Sequence, residues 1–168
     1  MTFPVFASGD VLNASDMNAV GLWLVKSQTI GSAVSSVAVT GAFTADYENY
    51  LITVSGGVAS TTNILTLQMG ATTSNYKWSL IYNTYGGATI TATSSTTGSS
   101  FNYAGIGTTT SLAASATILS PQLAEWTFFR APWSASAESG IAGGVIENTT
   151  QYTDFTLGVS TGTITGGT

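Results

Sequence analysis

The side chains that could do chemistry in this chain are carboxylates, hydroxyls and aromatic rings, because the sequence contains no histidine and no cysteine. Its only basic residues are Lys26, Lys77 and Arg130, against eight acidic residues. A serine nucleophile needs a neighbouring base, and a thiolate or imidazole metal site needs cysteine or histidine. Neither lysine lies in a recognisable catalytic motif. The sequence therefore predicts a protein that is not an enzyme and that holds no cofactor.

One acidic pair has the spacing of a candidate cation site. Asp46 and Glu48 lie two residues apart beside Asn49, and oxygen ligands of this kind suit a hard cation such as Ca²⁺. No segment has the ligand spacing of an EF-hand loop. The favoured interpretation is a solvated turn between Phe43 and Tyr50, and we predict no metal site.

Paired carboxylates are also the machinery of glycoside hydrolysis. Two of the eight acidic residues could meet in space, but no spacing in the sequence singles out a pair. A chain of 168 residues also offers a shorter cleft than most domains that cleave glycans. A hydrolase is therefore the least favoured function.

Aromatic rings in loops are the remaining candidates for ligand contact. Trp133 follows Pro132 and leads into a run of small residues, and Tyr85 precedes Gly86 and Gly87. An exposed ring offers a flat apolar face with a polar edge, which can stack on a sugar or dock a partner chain. The other interpretation, slightly favoured, is that each ring folds back over the end of the fold.

The composition describes a folded protein whose surface is rich in hydroxyl groups. Only 7% of residues are charged, 43% are hydrophobic and the formal net charge is −5, which argues against disorder. Three scattered cations cannot neutralise a phosphate backbone, so we expect no nucleic-acid partner. The apolar stretch from Ala19 to Val25 is far shorter than a membrane span, and the first residues lack the pattern of a targeting segment. We therefore expect no membrane insertion, and a surface suited to an assembly.

From Trp23 onward the hydrophobic pattern has a period of two, which is typical of antiparallel strands with one buried and one solvated face. Five stretches carry the alternation, with both Trp78 and Trp126 interpreted as core residues. The alternating residues are Tyr50, Ile52 and Val54; Leu65, Leu67 and Met69; Tyr76, Trp78, Leu80 and Tyr82; Trp126 and Phe128; and Phe155, Leu157 and Val159. Turn signals fall at Gly56-Gly57, Gly70, Gly86-Gly87, Gly98, residues 105–110, Gly143-Gly144 and Gly166-Gly167. Nine or ten short strands would form an all-β, antiparallel β-sandwich of the jelly-roll kind, with 112–120 left open between strand and helical turn.

An N-terminal extension is predicted before the sandwich. Residues 1–12 have the turn signals of an irregular arm, and Asn13 is a good N-cap for one short helix. The apolar residues that follow fall on one helical stripe, which ends near Leu22 to Leu24. The predicted organisation is an arm with a short helix over residues 1–24 and a β-sandwich domain over residues 25–168.

Three stretches of the chain carry a further pattern. The first is Phe6-Ala-Ser-Gly-Asp-Val-Leu-Asn-Ala-Ser-Asp-Met-Asn-Ala-Val20. It resembles the opening segment of many tail-fibre and minor tail proteins of tailed bacteriophages, which often have the form F-x-x-G-x-V-L-x-A-x-D-x-N. The other two, residues 36–56 and 152–168, resemble small β-sandwich virion proteins of phages. The resemblance covers nearly the whole chain, and no single residue within it carries a chemistry.

The resemblance implies a non-enzymatic, surface-exposed structural protein of a virion, in a tail fibre, tail tip or other appendage. It would be assembled in the host cytoplasm as a homotrimer, beside other virion proteins. The arm would anchor the sandwich to the particle, and apolar side chains near the arm would be buried at subunit contacts. These side chains are Phe3, Val5, Phe6, Leu12, Met17 and Trp23.

Two alternative functions stay open at this point. The first is a capsid decoration protein of the phage head, with the arm lying across the capsid shell. The second is a module that binds glycans of the host surface through Trp133 and Tyr85.

The end of the sequence departs from the phage pattern. There, a final apolar strand follows the element Thr165-Gly-Gly-Thr168, whereas this sequence ends at Thr168. We therefore expect either that the last strand is missing here or that one strand edge stays open for pairing with a neighbouring subunit.

Overall fold

The computed structural model describes residues 21–168, and the regular structure of these residues is entirely β. The strands are β1 Ser36–Val39, β2 Asn49–Ala59, β3 Asn63–Met69, β4 Tyr76–Thr84, β5 Thr91–Gly98, β6 Phe101–Gly107, β7 Leu112–Leu119, β8 Thr127–Ser134, β9 Glu138–Ile146, β10 Phe155–Val159 and β11 Ile164–Gly166. All their pairings are antiparallel. The predicted all-β class is confirmed, with eleven strands instead of nine or ten.

One continuous sheet folds over on itself to form the two layers of the sandwich. Its order is β1-β10-β3-β6-β7-β8-β9-β4-β5. β7 joins the layers, because residues 112–114 pair with β6 whereas residues 117–119 pair with β8. We call β1, β10, β3 and β6 the first layer, and β8, β9, β4 and β5 the second layer. The core lies between them, where Phe101 of β6 stacks on Phe129 of β8 with ring centroids 4.6 Å apart.

The strand β11 is hydrogen-bonded on both of its sides. On one side it pairs with β2, with Ile164 opposite Ala59. On the other side the Ile30 amide donates to the Gly167 carbonyl at 2.9 Å, and residues 31 and 34 make similar bonds. Residues 49–54 of β2 pair with β7 alone among the described residues. β11 itself is therefore no open edge, and the two expectations for a final strand stay predictions.

The predicted alternation assigns most of the buried side chains to the correct face of their strands. Alternating side chains of β2, β3 and β10 point into the core, as predicted. The interpretation of Trp126 as a core residue is wrong, because its side chain is 48% exposed. In β8 the buried positions are instead Thr127, Phe129, Ala131 and Trp133. A one-residue shift in phase moves every side chain of a strand to the opposite face, which is the difference found here.

Several glycines predicted to mark turns lie inside strands. Gly56 and Gly57 belong to β2, where the register with β7 shifts at a bulge. Gly143 and Gly144 lie in β9, and the stretch predicted as ambiguous, 112–120, holds β7. Gly57 and Gly144 allow another backbone or a ring to approach closely. In the sequence such a glycine cannot be told from one in a turn.

The predicted N-terminal arm and most of the predicted helix lie outside the described residues. Residues 22–24, where the helix was expected to end, have no regular structure. All the strands described here lie within residues 25–168, the part of the chain predicted to form the sandwich.

Tyr76 is the largest fully buried side chain among the described residues, and it carries a polar phenol. Its hydroxyl accepts a hydrogen bond from the Met69 amide at 2.7 Å and donates one to the Thr72 carbonyl at 3.2 Å. Desolvation by burial raises the pKa of Tyr76 above its ordinary value of 10.0, more than the Met69 amide lowers it. The fold therefore favours the neutral phenol over the phenolate.

Alkaline pH is expected to destabilise the protein through Tyr76. Below the pKa that Tyr76 has in the unfolded state, the neutral phenol makes its full contribution to the free energy of unfolding. This contribution is lost as the pH rises above that pKa, because Tyr76 ionises in the unfolded state before it ionises in the folded state. The variant Tyr76→Phe should be less stable near neutral pH, by about 1–3 kcal/mol, since the Met69 amide loses its acceptor. Its stability should decline less steeply than that of the wild type between about pH 8 and about pH 11. Urea unfolding across this range measures both, and parallel declines would contradict the assignment.

Candidate interaction surfaces

The two rings predicted to contact ligand occupy different environments. Trp133 lies in β8, not in a loop, and is 5% exposed. For Trp133 the structure agrees with the favoured interpretation, a ring folded back onto the fold. The predicted loop position is wrong, because β8 extends as far as Ser134 and turns this side chain into the core. Tyr85 follows β4 and is 56% exposed. The two side chains do not form a common site by themselves, and their contact with a glycan stays a prediction.

Most of the side chains predicted at subunit contacts lie outside the described residues. These are Phe3, Val5, Phe6, Leu12 and Met17. Trp23 is described and is 40% exposed, and its neighbours Leu22 and Leu24 are more exposed still. Three consecutive large apolar side chains in contact with solvent are unusual for a monomer and are typical of a contact site.

The second layer exposes an apolar patch on its outer face, the face turned away from the first layer. Cross-strand register places Pro132 of β8, Ile141 of β9 and Ile81 of β4 side by side. Ile141 is 50% exposed, and Ile81 and the nearby Ile90 are more exposed. We call Ile81, Ile90, Pro132 and Ile141 the outer patch. A solvated sheet face normally carries polar side chains, so four adjacent apolar ones indicate a surface that another molecule covers.

The outer patch contributes residues to two shallow depressions. One, of about 520 Å³, is lined by the patch together with Asn83, Ser134 and Ser139. The other, of about 550 Å³, shares Ile81 and Ile141 and extends to Arg130. The outer face is therefore uneven, and its depressions are lined by both apolar and polar side chains. A partner could fit this shape as well as cover the apolar area.

Charged groups are sparse on this face. Arg130 is exposed, and Lys77 forms an ion pair with Glu147, with nitrogen and oxygen 2.6 Å apart. Both partners are partly exposed, so the pair contributes little to stability. A face with few charges can be buried against another protein at a low desolvation cost.

Four aromatic rings cluster at the edge of the core, three from the inner face of the second layer and one from β6 of the first layer. Trp133 lies 5.9 Å from Tyr82 and 5.5 Å from Tyr103, measured between ring centroids. Tyr103 lies 6.3 Å from Trp78. We call these four residues the aromatic cluster. Trp133 is buried, whereas the other three are only partly buried, so the cluster reaches the surface.

A β-bulge and a glycine position these rings. Leu65 pairs with Gly105 while Thr66 pairs with Asn102, so β6 has two extra residues, one of which is Tyr103. Tyr103 has a φ of 61°, a left-handed conformation that is uncommon outside glycine. Bulges turn side chains out of the regular alternation. Burial and the neighbouring hydroxyl of Tyr82 raise the pKa of Tyr103, with a smaller contribution from the carboxylate of Glu138.

Gly140 lies next to the contact between the rings of Trp133 and Tyr82. In the register, Gly140 of β9 lies between Trp133 of β8 and Tyr82 of β4. A Cβ atom at this position would lie 2.9 Å from the Trp133 ring and 2.6 Å from the Tyr82 Cβ. The absence of a side chain at 140 therefore lets the two rings approach each other.

The acidic pair considered for a cation lies in an exposed turn. Asp46 and Glu48 are exposed, and the Asp46 carboxylate accepts a hydrogen bond from the Thr44 hydroxyl at 3.2 Å. Within residues 21–168 no three acidic side chains cluster in a way that could hold a metal ion. The same part of the chain contains no helix that is long and apolar enough to cross a membrane.

The outer patch and Tyr103 were not predicted as sites. The available signal for the patch was Ile81, an apolar residue at a position that the alternation assigns to solvent. No comparable signal marks Tyr103, because its direction depends on a bulge.

Comparisons with known proteins return no relative. No protein-family model, no curated protein and no solved structure matches this chain. The functional interpretation therefore depends on the surfaces described above and on the pattern in the sequence.

Proposed function

We propose that the chain is a non-enzymatic structural subunit of a tailed-bacteriophage particle, located in a tail fibre, tail tip or appendage and assembled as a homotrimer. The observation that carries the proposal is the outer patch, a continuous apolar area on a sheet face that would otherwise be solvated. A second copy of the chain is the occupant that we assign to it. The motif from Phe6 to Val20 supports the phage assignment.

The character of the outer face favours a permanent contact over a transient one. Subunit interfaces of obligate oligomers are more apolar than the remaining surface and are depleted in charge. Ile81, Ile90, Pro132 and Ile141 meet the first condition, and the 7% charged content of the chain meets the second. Exposed Leu22 to Leu24 add a second apolar area where the chain enters the sandwich.

Association is expected to depend on the centre of the outer patch. The wild type should be a trimer at micromolar concentration, and Ile141→Asp should raise its dissociation constant at least about tenfold, because an unpaired carboxylate would be buried. Native mass spectrometry over a dilution series measures this. The control is Leu123→Asp, which introduces the same charge at an exposed leucine beyond the opposite end of β8.

A monomeric wild type at micromolar concentration would contradict the proposed trimer. A trimer that tolerates Ile141→Asp as well as Leu123→Asp would remove the outer patch from the interface. Thermal unfolding of both variants checks that the sandwich itself is intact.

A capsid decoration protein would have the same fold and the same subunit contacts, but it would lie on the phage head and not on the tail. Imaging of whole particles separates the two locations, because an appendage projects from the tail while a decoration protein lies on the head. Density for the sandwich on the capsid lattice would replace the tail assignment and keep the structural role.

A further inference from the structure

The aromatic cluster has polar groups that the fold does not use. The other tyrosines of the core, Tyr50, Tyr76 and Tyr152, all have hydroxyls bonded to protein groups. The hydroxyls of Tyr82 and Tyr103 have no hydrogen-bond partner among the described residues. The indole Nε1 of Trp133 is buried without a partner as well. A buried donor without a partner, such as the Trp133 indole, is unusual in a core built only for stability. The two phenols beside it are partly exposed and can hydrogen-bond a further molecule.

A border of hydroxyl groups continues the cluster along the same face. In the register of β4 and β5, Thr91 lies opposite Tyr82 and Ser95 lies opposite Trp78, with Thr93 between them. Opposed residues share a face of the sheet, so these hydroxyls stand beside the rings. Thr91 and Thr93 are exposed and Ser95 is partly exposed. The first layer therefore leaves this part of the inner face uncovered.

The charge of the surroundings narrows the class of ligand. Glu138 lies on the same face, because it pairs with Thr84 two positions beyond Tyr82. The cations of the second layer, Lys77 and Arg130, lie on the opposite face according to the same alternation. An anionic ligand would meet the Glu138 carboxylate while both cations of the second layer lie on the other face. A neutral polyhydroxylated ligand would find an acceptor in the same carboxylate.

We propose that the aromatic cluster and its hydroxyl border bind a neutral carbohydrate. The partly exposed rings of Tyr82, Tyr103 and Trp78 would stack on the apolar faces of sugar rings. The threonine and serine hydroxyls of β5 and the carboxylate of Glu138 would hydrogen-bond the sugar hydroxyls. The site lies on the face opposite the outer patch, so it goes beyond the structural role and is independent of it.

Trp133 acts here as a positioning residue. Its buried ring packs against both tyrosines, with its centroid 5.9 Å from that of Tyr82 and 5.5 Å from that of Tyr103. Removal of this ring would empty part of the core, so Trp133→Ala would confuse folding with binding. The partly exposed rings are the correct positions for a test.

The binding experiment uses the full chain and a panel of soluble neutral oligosaccharides: malto-, cello-, xylo- and lacto-oligosaccharides. Sialylated and sulfated lacto-oligosaccharides are included as charged comparisons. An array of these sugars, followed by calorimetry on those that bind, gives the dissociation constants. We expect wild-type binding to at least one sugar, and a loss of about tenfold or more for Tyr82→Ala and for Trp78→Ala, since each removes a stacking ring. The matched controls Phe128→Ala and Trp126→Ala remove exposed rings elsewhere and should bind as the wild type does.

A folding defect is distinguished by a second pair of variants. Tyr103→Phe and Glu138→Gln preserve the shape of each side chain and should reduce affinity by severalfold with little change in melting temperature. Absence of wild-type binding to the whole panel at millimolar sugar would overturn the proposal. Equal affinity in the cluster variants and the controls would also overturn it, as would preferred binding to sialylated or sulfated sugars. None of these results depends on the oligomeric state, which tests the structural role.

Discussion

Phe129→Ala is expected to lower the free energy of unfolding by about 3–5 kcal/mol, the usual range for an emptied aromatic site in a core. Phe129 is 1% exposed and stacks on Phe101 with an interplanar angle of 9°. Phe101 in turn meets Tyr76 edge to face at 5.0 Å. This contact joins β8 of the second layer to β6 of the first, so its loss weakens the packing of one layer on the other. A small domain has a total stability of only about 5–15 kcal/mol, so the effect is large.

The adjacent residue provides the control for this prediction. Phe128 has the same side chain but is 43% exposed on the outer face. Phe128→Ala should change the free energy of unfolding by less than about 1 kcal/mol in the dissociated protein, because little buried contact is lost. Urea unfolding at high dilution compares the two. A larger loss for Phe128→Ala than for Phe129→Ala would show that the phase of β8 is the opposite of the one described.

Gly144→Ala is expected to destabilise the protein by about 1–3 kcal/mol, as overpacking of a core usually does. A Cβ atom at position 144 would lie 2.5 Å from the Lys77 carbonyl oxygen and 3.0 Å from the ring of Phe101. The carbonyl belongs to the paired strand β4 and cannot move without disturbing the sheet. The ring belongs to the central aromatic stack. Relief of the clash therefore requires movement of either the backbone or the core.

Gly143→Ala is the matched control, one residue earlier in the same strand. Its Cβ atom would have only the Phe129 carbonyl oxygen within reach, at 3.7 Å, an ordinary contact. This variant should be neutral or gain about 0.5–1 kcal/mol, because alanine has less freedom in the unfolded chain. Melting temperatures of the two single variants test the contrast. Equal losses would indicate that glycine is needed along the whole segment and not for a specific ring contact.

The alternation of apolar and polar residues was sufficient to predict which face of β2, β3 and β10 is buried. In β3, Leu65, Leu67 and Met69 alternate with the polar Thr66 and Gln68, so one phase buries far more apolar area than the other. The segment Thr127–Ser134 is different, because both phases contain large apolar side chains. Its phase is decided by contact with Phe101, which lies far away in sequence. Local pattern cannot supply that information.

Glycines caused the second kind of error for a related reason. A glycine in a turn and a glycine beneath an aromatic ring are the same residue in the sequence, and both interrupt an apolar run. Gly86 has a φ of 78° after β4, as a turn requires. Gly144 has an aromatic neighbour from another strand instead. Only the cross-strand register separates the two roles.

The candidate sites were predictable in part. The exposed ring of Tyr85 was one of two interpretations and not the favoured one, whereas the alternation does assign the apolar Ile81 to the solvated face. The aromatic cluster depends on the bulge that turns Tyr103 toward Trp133, and bulge positions have no reliable local signature here. Side chains from β4, β6 and β8 meet there, so the site exists only once the layers are packed.

The pairing of residues 30–34 with β11 has a consequence for synthesis of the protein. Ile30 bonds to Gly167, and the Val34 amide bonds to Ile164, so strand neighbours come from distant parts of the chain. Pairing over such long sequence separation is slow to form. The sheet also cannot close around these residues while the segment that follows β10 is still inside the ribosome. Until then, apolar residues of the nascent chain such as Ile30 stay uncovered, and folding is completed only after residues 164–167 have left the ribosome.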